Sequence, residues 1–195
     1  MAVADATSKR EEQGPIADGL FQKGNYKEAL ERYRILAEAG FVEAQLRVAW
    51  MYHTGHGVNV DLDQARGWYL KAAQSNSLEA QFYLATLYRT EKLYMEGIKL
   101  FEKCAEQNYM PAIYQLGKMY ELGEGVSLDK EKAQSYYRQA ARMGHLTAQR
   151  ELAVMTIRGQ MGYGRVPQGV LMLIRVIVSG FRLGLIDPNS DRIRW

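Results

Sequence analysis

Apolar residues return along this chain at every third or fourth position, in short runs broken by polar turns, which is the spacing of helices that bury one face. Ala29, Tyr33, Leu36 and Ala37 form such a run after Tyr26, and it ends near Gly40, a residue suited to a left-handed helix cap. Pro15 can open a short preceding helix through Lys23, because the N–H it lacks has no partner in a first turn. Gly24-Asn25 then turns the chain, so residues 15–40 read as one helix-turn-helix unit.

The pattern recurs. Glu43-Ala44-Gln45, Glu79-Ala80-Gln81, Pro111-Ala112-Ile113 and Thr147-Ala148-Gln149 open successive helices, and their alanines stand 36, 32 and 36 residues apart. A period of this length is expected when two-helix units stack repeatedly. In the second unit Gly55-His56-Gly57-Val58-Asn59-Val60-Asp61 joins the helices, and Asp61 can cap the one that carries Ala65, Trp68, Tyr69, Ala72 and Ala73. The fourth unit repeats this as Gly123-Glu124-Gly125-Val126-Ser127-Leu128-Asp129 followed by Ala133, Tyr136, Tyr137, Ala140 and Ala141. The third unit keeps the second helix as Gly97, Leu100, Phe101, Cys104 and Ala105, but its connection is shorter, so long and short turns alternate.

The motif Gly-x-Gly-Val-x-x-Asp-x-x-x-Ala-x-x-Trp/Tyr-Tyr-x-x-Ala-Ala resembles the Sel-one-like repeat, a relative of the tetratricopeptide repeat with a longer inter-helix loop. The two long-loop units carry the resemblance, and the first and third units, with turns such as Gly24-Asn25-Tyr26, look more like tetratricopeptide repeats. It implies an all-α, right-handed α-solenoid of about five two-helix repeats that acts as an adaptor for protein partners; it does not imply catalysis, and no cofactor is expected.

The fifth unit departs from the motif. Its first helix, Thr147 to Arg158, is clear, but Arg165 stands where Asp61 would fall, and Gly169, Met172, Leu173, Val176 and Ile177 take the core places of the second helix. Val176-Ile177 in place of Ala-Ala hinders the approach of a following helix, so the array is expected to end here. A terminal repeat normally turns a polar face outward. This one carries Val170, Ile174 and Val178 beside Arg175 and Arg182. Either residues 181–195 fold back over it, with Ile193 or Trp195 packing, or the face meets another subunit, a partner protein or a membrane surface. The expected organisation is a loose tail over residues 1–14, repeats over 15–180 and a capping or partner-contacting segment over 181–195.

Composition narrows the setting more than the function. The 195 residues are 47% apolar and 24% charged, ordinary for a folded protein. Net charge is +3, yet from Arg142 onward there are eight arginines, no lysine and three acidic residues. A basic end can attract an acidic partner or lipid headgroups without specifying either. The single cysteine excludes an intrachain disulfide. The polar start shows no signal-peptide core, so a cytoplasmic location is expected, or a periplasmic or secreted one if a leader precedes this sequence. The apolar run Val170 to Ile186 is interrupted by Arg175, Gly180, Arg182 and Gly184, a poor membrane span.

Candidates for chemistry are weak. His53 and His56 have a spacing that can serve a metal, but no Cys, Asp or third His of complementary spacing accompanies them, so no metal site is expected. Cys104 occupies the place of Ala72 and Ala140 on a packing face and reads as a small core residue. What remains is surface. Removing the shared core positions leaves Arg47, Trp50 and His53 on one rung, Tyr83, Thr86 and Arg89 on the next, and Gln115, Lys118 and Glu121 on a third, a candidate concave face for a protein or peptide. Arginine with aromatic residues is the composition favoured at binding hot spots. Trp50 can also pack under the Gly55 loop. Glu43, Glu79 and Glu121 argue against nucleic acid as the partner. The alternative is a membrane-surface or oligomeric assembly component that acts through the C-terminal helix.

Overall fold

The computed structural model of the chain describes residues 2–158 and 166–182, with side chains over 12–158 and 167–180. The described residues form ten helices and no strand: α1 (Ala2–Gln22), α2 (Tyr26–Glu38), α3 (Val42–Thr54), α4 (Leu62–Ala73), α5 (Leu78–Thr90), α6 (Tyr94–Glu106), α7 (Met110–Leu122), α8 (Lys130–Arg142), α9 (Leu146–Ile157) and α10 (Val166–Arg182). The chain divides into two compact units, Met1–Leu100 and Phe101–Trp195.

In the first unit each helix from α1 to α5 packs on the next. Ala29, Ala65, Ala80 and Ala85 are fully buried, and their small side chains let the backbones approach closely while Tyr33, Met51, Trp68, Tyr69 and Leu87 fill the space between them. Two kinds of joint recur, a short one and a long one. The turns that close one helix pair and start the next place Gly40 and Asn76 at φ +93° and +56°. The long turn in the middle of a pair begins at Gly55, φ +77°, whose N–H and that of His56 both bond to the Met51 carbonyl. It ends at Asp61, whose N–H bonds back to the Tyr52 carbonyl at 3.0 Å while its carboxylate accepts from the N–H of Gln64 at 2.9 Å. At Gly57 this loop lies against the start of α2, so closely that a Cβ there would stand 2.5 Å from the Tyr26 carbonyl carbon.

The second unit stacks α7 on α8, α8 on α9 and α9 on α10. Its long turn repeats the same bonds: Glu124 N–H to the Met119 carbonyl at 3.0 Å, Asp129 N–H to the Tyr120 carbonyl at 2.9 Å and Lys132 N–H to the Asp129 carboxylate at 2.8 Å. Asn108 and Gly144 hold the left-handed places at φ +58° and +99°. The repeated Ala-Gln pair has a job at these joints as well. Gln45 donates to the Ala37 carbonyl and Gln149 to the Ala141 carbonyl, both at 3.2 Å, tying each first helix to the end of the helix before it.

Two local expectations differ from the structure. Residues from Ala2 onward are helical, with Pro15 inside α1 instead of opening it. Gly14 precedes that proline, and without a Cβ it relieves the clash that normally drives the residue before proline out of helical geometry. Ile177 is 43% exposed although it was expected in the core. Its counterparts Ala73 and Ala141 are partly buried, and the described residues hold no helix after α10 to cover Ile177. The packing face of α10 runs instead through Gly169, Val176 and Gly180. Gly169 lies so near α9 that a Cβ would meet the Ala153 carbonyl oxygen at 2.9 Å. Arg165, the side chain of Arg182 and residues 183–195, on which the expected fold-back depends, lie outside the described residues.

Candidate functional site

Three of the six surface candidates of the first unit, Arg47, Trp50 and Tyr83, line one cleft between α3 and α5. It has a volume of about 220 Å³ and is lined by Glu43, Leu46, Arg47, Trp50, Glu79 and Tyr83. Helical spacing explains the set: Glu43, Arg47 and Trp50 follow one stripe of α3, and Glu79 and Tyr83 one stripe of α5.

Each large side chain here is held from behind. The Trp50 indole meets Phe21 edge-on at 5.8 Å between centroids and lies 4.4 Å from the His56 ring, so it packs under the Gly55 loop and still lines the cleft. Tyr83 stacks on Tyr69, with centroids 5.8 Å apart and planes 15° from parallel. The Arg47 guanidinium lies over Phe21 and Tyr33, at 5.3 and 5.9 Å. An exposed contact of this kind contributes about 0.5–1 kcal/mol. Tyr33 is in turn fixed by donating to Asp18 at 2.6 Å. Burial pushes the Tyr83 hydroxyl pKa up, the Glu79 carboxylate adds to this, and Arg47 offsets part of it.

The other residues of these rungs serve the helices themselves. Thr86 donates to the Phe82 carbonyl at 2.9 Å. His53 sits edge-on to Tyr69 at 6.3 Å, and burial lowers its pKa against a smaller opposing effect of Glu91. Arg89 is half-buried and also engaged. None of the three lines the cleft.

In the second unit Lys118 donates to Glu121 at 2.8 Å, and Tyr137 donates to the same carboxylate oxygen at 2.7 Å. Burial works against both charges. The hydrogen bond and mutual attraction outweigh it, so the Lys118 pKa is raised and the Glu121 pKa lowered. Gln115 has contacts of its own. These candidates thus hold one another. The more open hollow of this unit, about 560 Å³, follows the α7–α8 loop from Val126 to Lys132 beside Tyr120.

Residues considered for chemistry have packing roles. The Thr54 hydroxyl bonds to His56 Nδ1 at 2.7 Å, and the His56 ring packs edge-on to Tyr26 at 4.9 Å. Cys104 is fully buried, and that burial raises its thiol pKa above the usual range, with a smaller opposing effect of Lys103. His145 caps α9 by accepting from the Ala148 N–H at 3.1 Å and stacks on Tyr114 at 4.5 Å. Among the described residues no group of His, Cys, Asp and Glu could hold a metal ion.

On α10, Val170, Leu171, Ile174, Ile177 and Val178 are exposed beside Arg175, while Val176 faces α9. Among the described residues no helix is long and apolar enough to cross a membrane.

The cleft was partly visible in the sequence, which singles out Arg47, Trp50 and Tyr83. It missed Leu46 as a lining residue and treated Glu43 and Glu79 only as neighbours. The signal was available, because each glutamate stands four residues before a chosen residue, one helical turn away.

Paired helices joined by two kinds of turn, each kind closed by the same bonds wherever it recurs, define an all-α repeat solenoid. The chain belongs to the Sel1-repeat family: the Sel1 repeat model matches residues 42–77, 78–109 and 111–145, more than half of its length. The match includes the short-turn unit between the two long-turn ones. A solved Sel1 repeat protein from Oxalobacter formigenes superimposes with a TM-score of 0.72 and 30% identity, over 85% of this chain and 69% of that one. Chitin synthase regulatory factor 3 of Schizosaccharomyces pombe is 31% identical over 69% of this chain and 16% of its own length. The exopolysaccharide production negative regulator of Rhizobium leguminosarum is 29% identical over 64% of this chain and 54% of its own. The chain therefore spans well under two thirds of the length of these curated relatives. Membership in this family indicates a protein-interaction adaptor or regulator in a generally non-enzymatic class.

Proposed function

We propose that this chain is a non-catalytic adaptor that holds a segment of a protein partner in the cleft between α3 and α5. The observation that carries the reading is the joining of Trp50, Tyr83 and Arg47 in one concave site of about 220 Å³. Trp, Tyr and Arg dominate binding hot spots, because each offers a large contact area with a polar tip. Phe21, His56, Tyr69 and Tyr33 already hold these side chains in place. Less rotamer freedom is then lost on binding. Two relatives are named as regulators of chitin synthase and of exopolysaccharide production. Their names support a regulatory setting in which binding itself is the output.

The test is photo-crosslinking in cell extract, with a benzophenone side chain introduced at position 83 or, as a control, at the exposed position 34. Partner proteins crosslinked from position 83 and lost on Arg47→Ala support the reading. Equal crosslinking from both positions, or none from position 83, removes it.

A second reading rests on the exposed apolar row of α10. Val170, Ile174 and Val178 are 45%, 52% and 46% exposed, an arrangement suited to contact with a second copy or a membrane surface.

A further inference from the structure

We infer that the α3–α5 cleft takes one aromatic side chain, phenylalanine, tyrosine or tryptophan, projecting from the partner's segment. This rests on the peptide-binding reading above and adds the chemistry of the residue the cleft holds. Size is the first consideration. At about 220 Å³ the cleft is smaller than the roughly 300–1,000 Å³ of sites that enclose a whole small molecule. It has room for one large side chain whose backbone stays outside.

Charge favours neither sign of occupant. Glu43 already has a partner. The lining therefore sets one carboxylate, Glu79, against one guanidinium, Arg47, and both residues are exposed. A charged side chain of either sign would meet one attraction and one repulsion here, and would give up water to do so. A neutral side chain bears neither cost.

The walls decide which neutral side chain. Leu46 is buried at the base, and Trp50 from α3 and Tyr83 from α5 offer ring surface. Tyr83 has one face stacked on Tyr69 and still lines the cleft. The Arg47 guanidinium supplies a third flat surface, held over Phe21 and Tyr33. Planar groups around an apolar base suit a planar apolar ring. Ring–ring and guanidinium–ring contacts add to what burial of area provides, whereas an aliphatic side chain gains the area alone. Both aromatic walls are braced, Trp50 by Phe21 and His56 and Tyr83 by Tyr69, so the slot needs no rearrangement to form. Arg47 acts here as a plane and not as a counter-ion, so Arg47→Ala still loses the partner.

The experiment is selection of a random peptide library displayed on phage against the full chain, followed by affinity measurements on the selected peptides. The expected result is enrichment of phenylalanine, tyrosine or tryptophan at one fixed position, in peptides whose binding is lost on Tyr83→Ala. Replacing that aromatic residue by alanine should weaken binding about tenfold or more, as at a hot spot. Arg47→Lys keeps the charge and loses the plane, and should weaken binding roughly two- to fivefold. Glu79→Gln or added salt should change it by less than about twofold, because no charge on the occupant is read. Arg47 and Glu79 are exposed, so their changes leave the fold intact. Circular dichroism verifies the fold of Tyr83→Ala, and Arg47→Lys carries the test if that variant does not fold. Peptides that depend on Tyr83 or Arg47 but enrich a charged or an aliphatic residue overturn the inference and leave the peptide-binding reading standing. Selection that yields no peptide dependent on either residue overturns both.

Discussion

Tyr137 donates its buried hydroxyl to Glu121 at 2.7 Å, whereas Tyr69, the residue in the same place of the first unit, buries its hydroxyl without a hydrogen-bond partner among the described residues. The difference follows from one substitution between repeats. The position that holds Glu121 in the second unit holds His53 in the first, and His53 meets Tyr69 ring to ring. The fold is the same at both places, and only one of them has an acceptor.

Removing these two hydroxyls should therefore have unequal effects. Tyr137→Phe removes a hydrogen bond to the partly buried Glu121 carboxylate and is expected to destabilise the protein by about 1.5 kcal/mol, the low end of the range for a hydrogen bond to a charged group. Tyr69→Phe removes a polar atom that has no partner and should be neutral or slightly stabilising. Urea unfolding of the two variants checks this, and equal losses would show that Tyr69 has a partner after all.

Stability should fall as the solution is acidified from neutral pH. Burial lowers the pKa of His145 and of His53 below the ordinary value of 6.5. The unfolded chain then binds more protons than the folded one in that range, so stability is complete above about pH 6.5 and declines as pH drops below it. At His145 the cause is doubled, because its Nδ1 must stay unprotonated to accept the Ala148 N–H. His145→Asn keeps a capping acceptor without titrating and should flatten the decline measured by thermal melts. An unchanged slope would exclude His145 as a contributor.

The glycines of the turns should differ sharply in tolerance. Gly24 and Gly57 both have positive φ, +81° and +75°, but nothing stands within 4 Å of a Cβ at Gly24, while the backbone of Tyr26 and Lys27 would be struck at Gly57. Gly24→Ala should cost about 1–2 kcal/mol for left-handed backbone alone. Gly57→Ala should add about 1–3 kcal/mol of overpacking. Similar losses would mean that the long loop does not rest on α2.

The α10 row permits a separation of stability from association. Ile174→Gln with Val178→Gln changes exposed positions, so the melting behaviour should move by no more than about 0.5 kcal/mol per residue. If this face meets a second copy or a membrane, the pair of changes abolishes concentration-dependent self-association or flotation with anionic vesicles. An intact chain that shows neither behaviour rejects the second reading.

The sequence by itself determined the repeat, its two turn types and much of the core. Each is a local or periodic property: alanines spaced 36, 32 and 36 residues apart, left-handed places held by glycine or asparagine at every described turn except that of Lys92, and Asp61 and Asp129 as caps. These residues carry their physical reason in their own backbone geometry, and repetition makes it readable. Only the tertiary structure decided which surface residues are occupied and which face a cleft. Lys118 and Glu121 turn out to bind each other and Tyr137, while Arg47, Trp50 and Tyr83 meet across α3 and α5 with Glu43 and Glu79 beside them. That outcome depends on which side chains two helices bring within a few ångströms, and a pattern along one helix does not specify its neighbour. The start of α1 escaped prediction for a related reason. Pro15 marks a helix start by default, and the glycine before it permitted the helix to continue through.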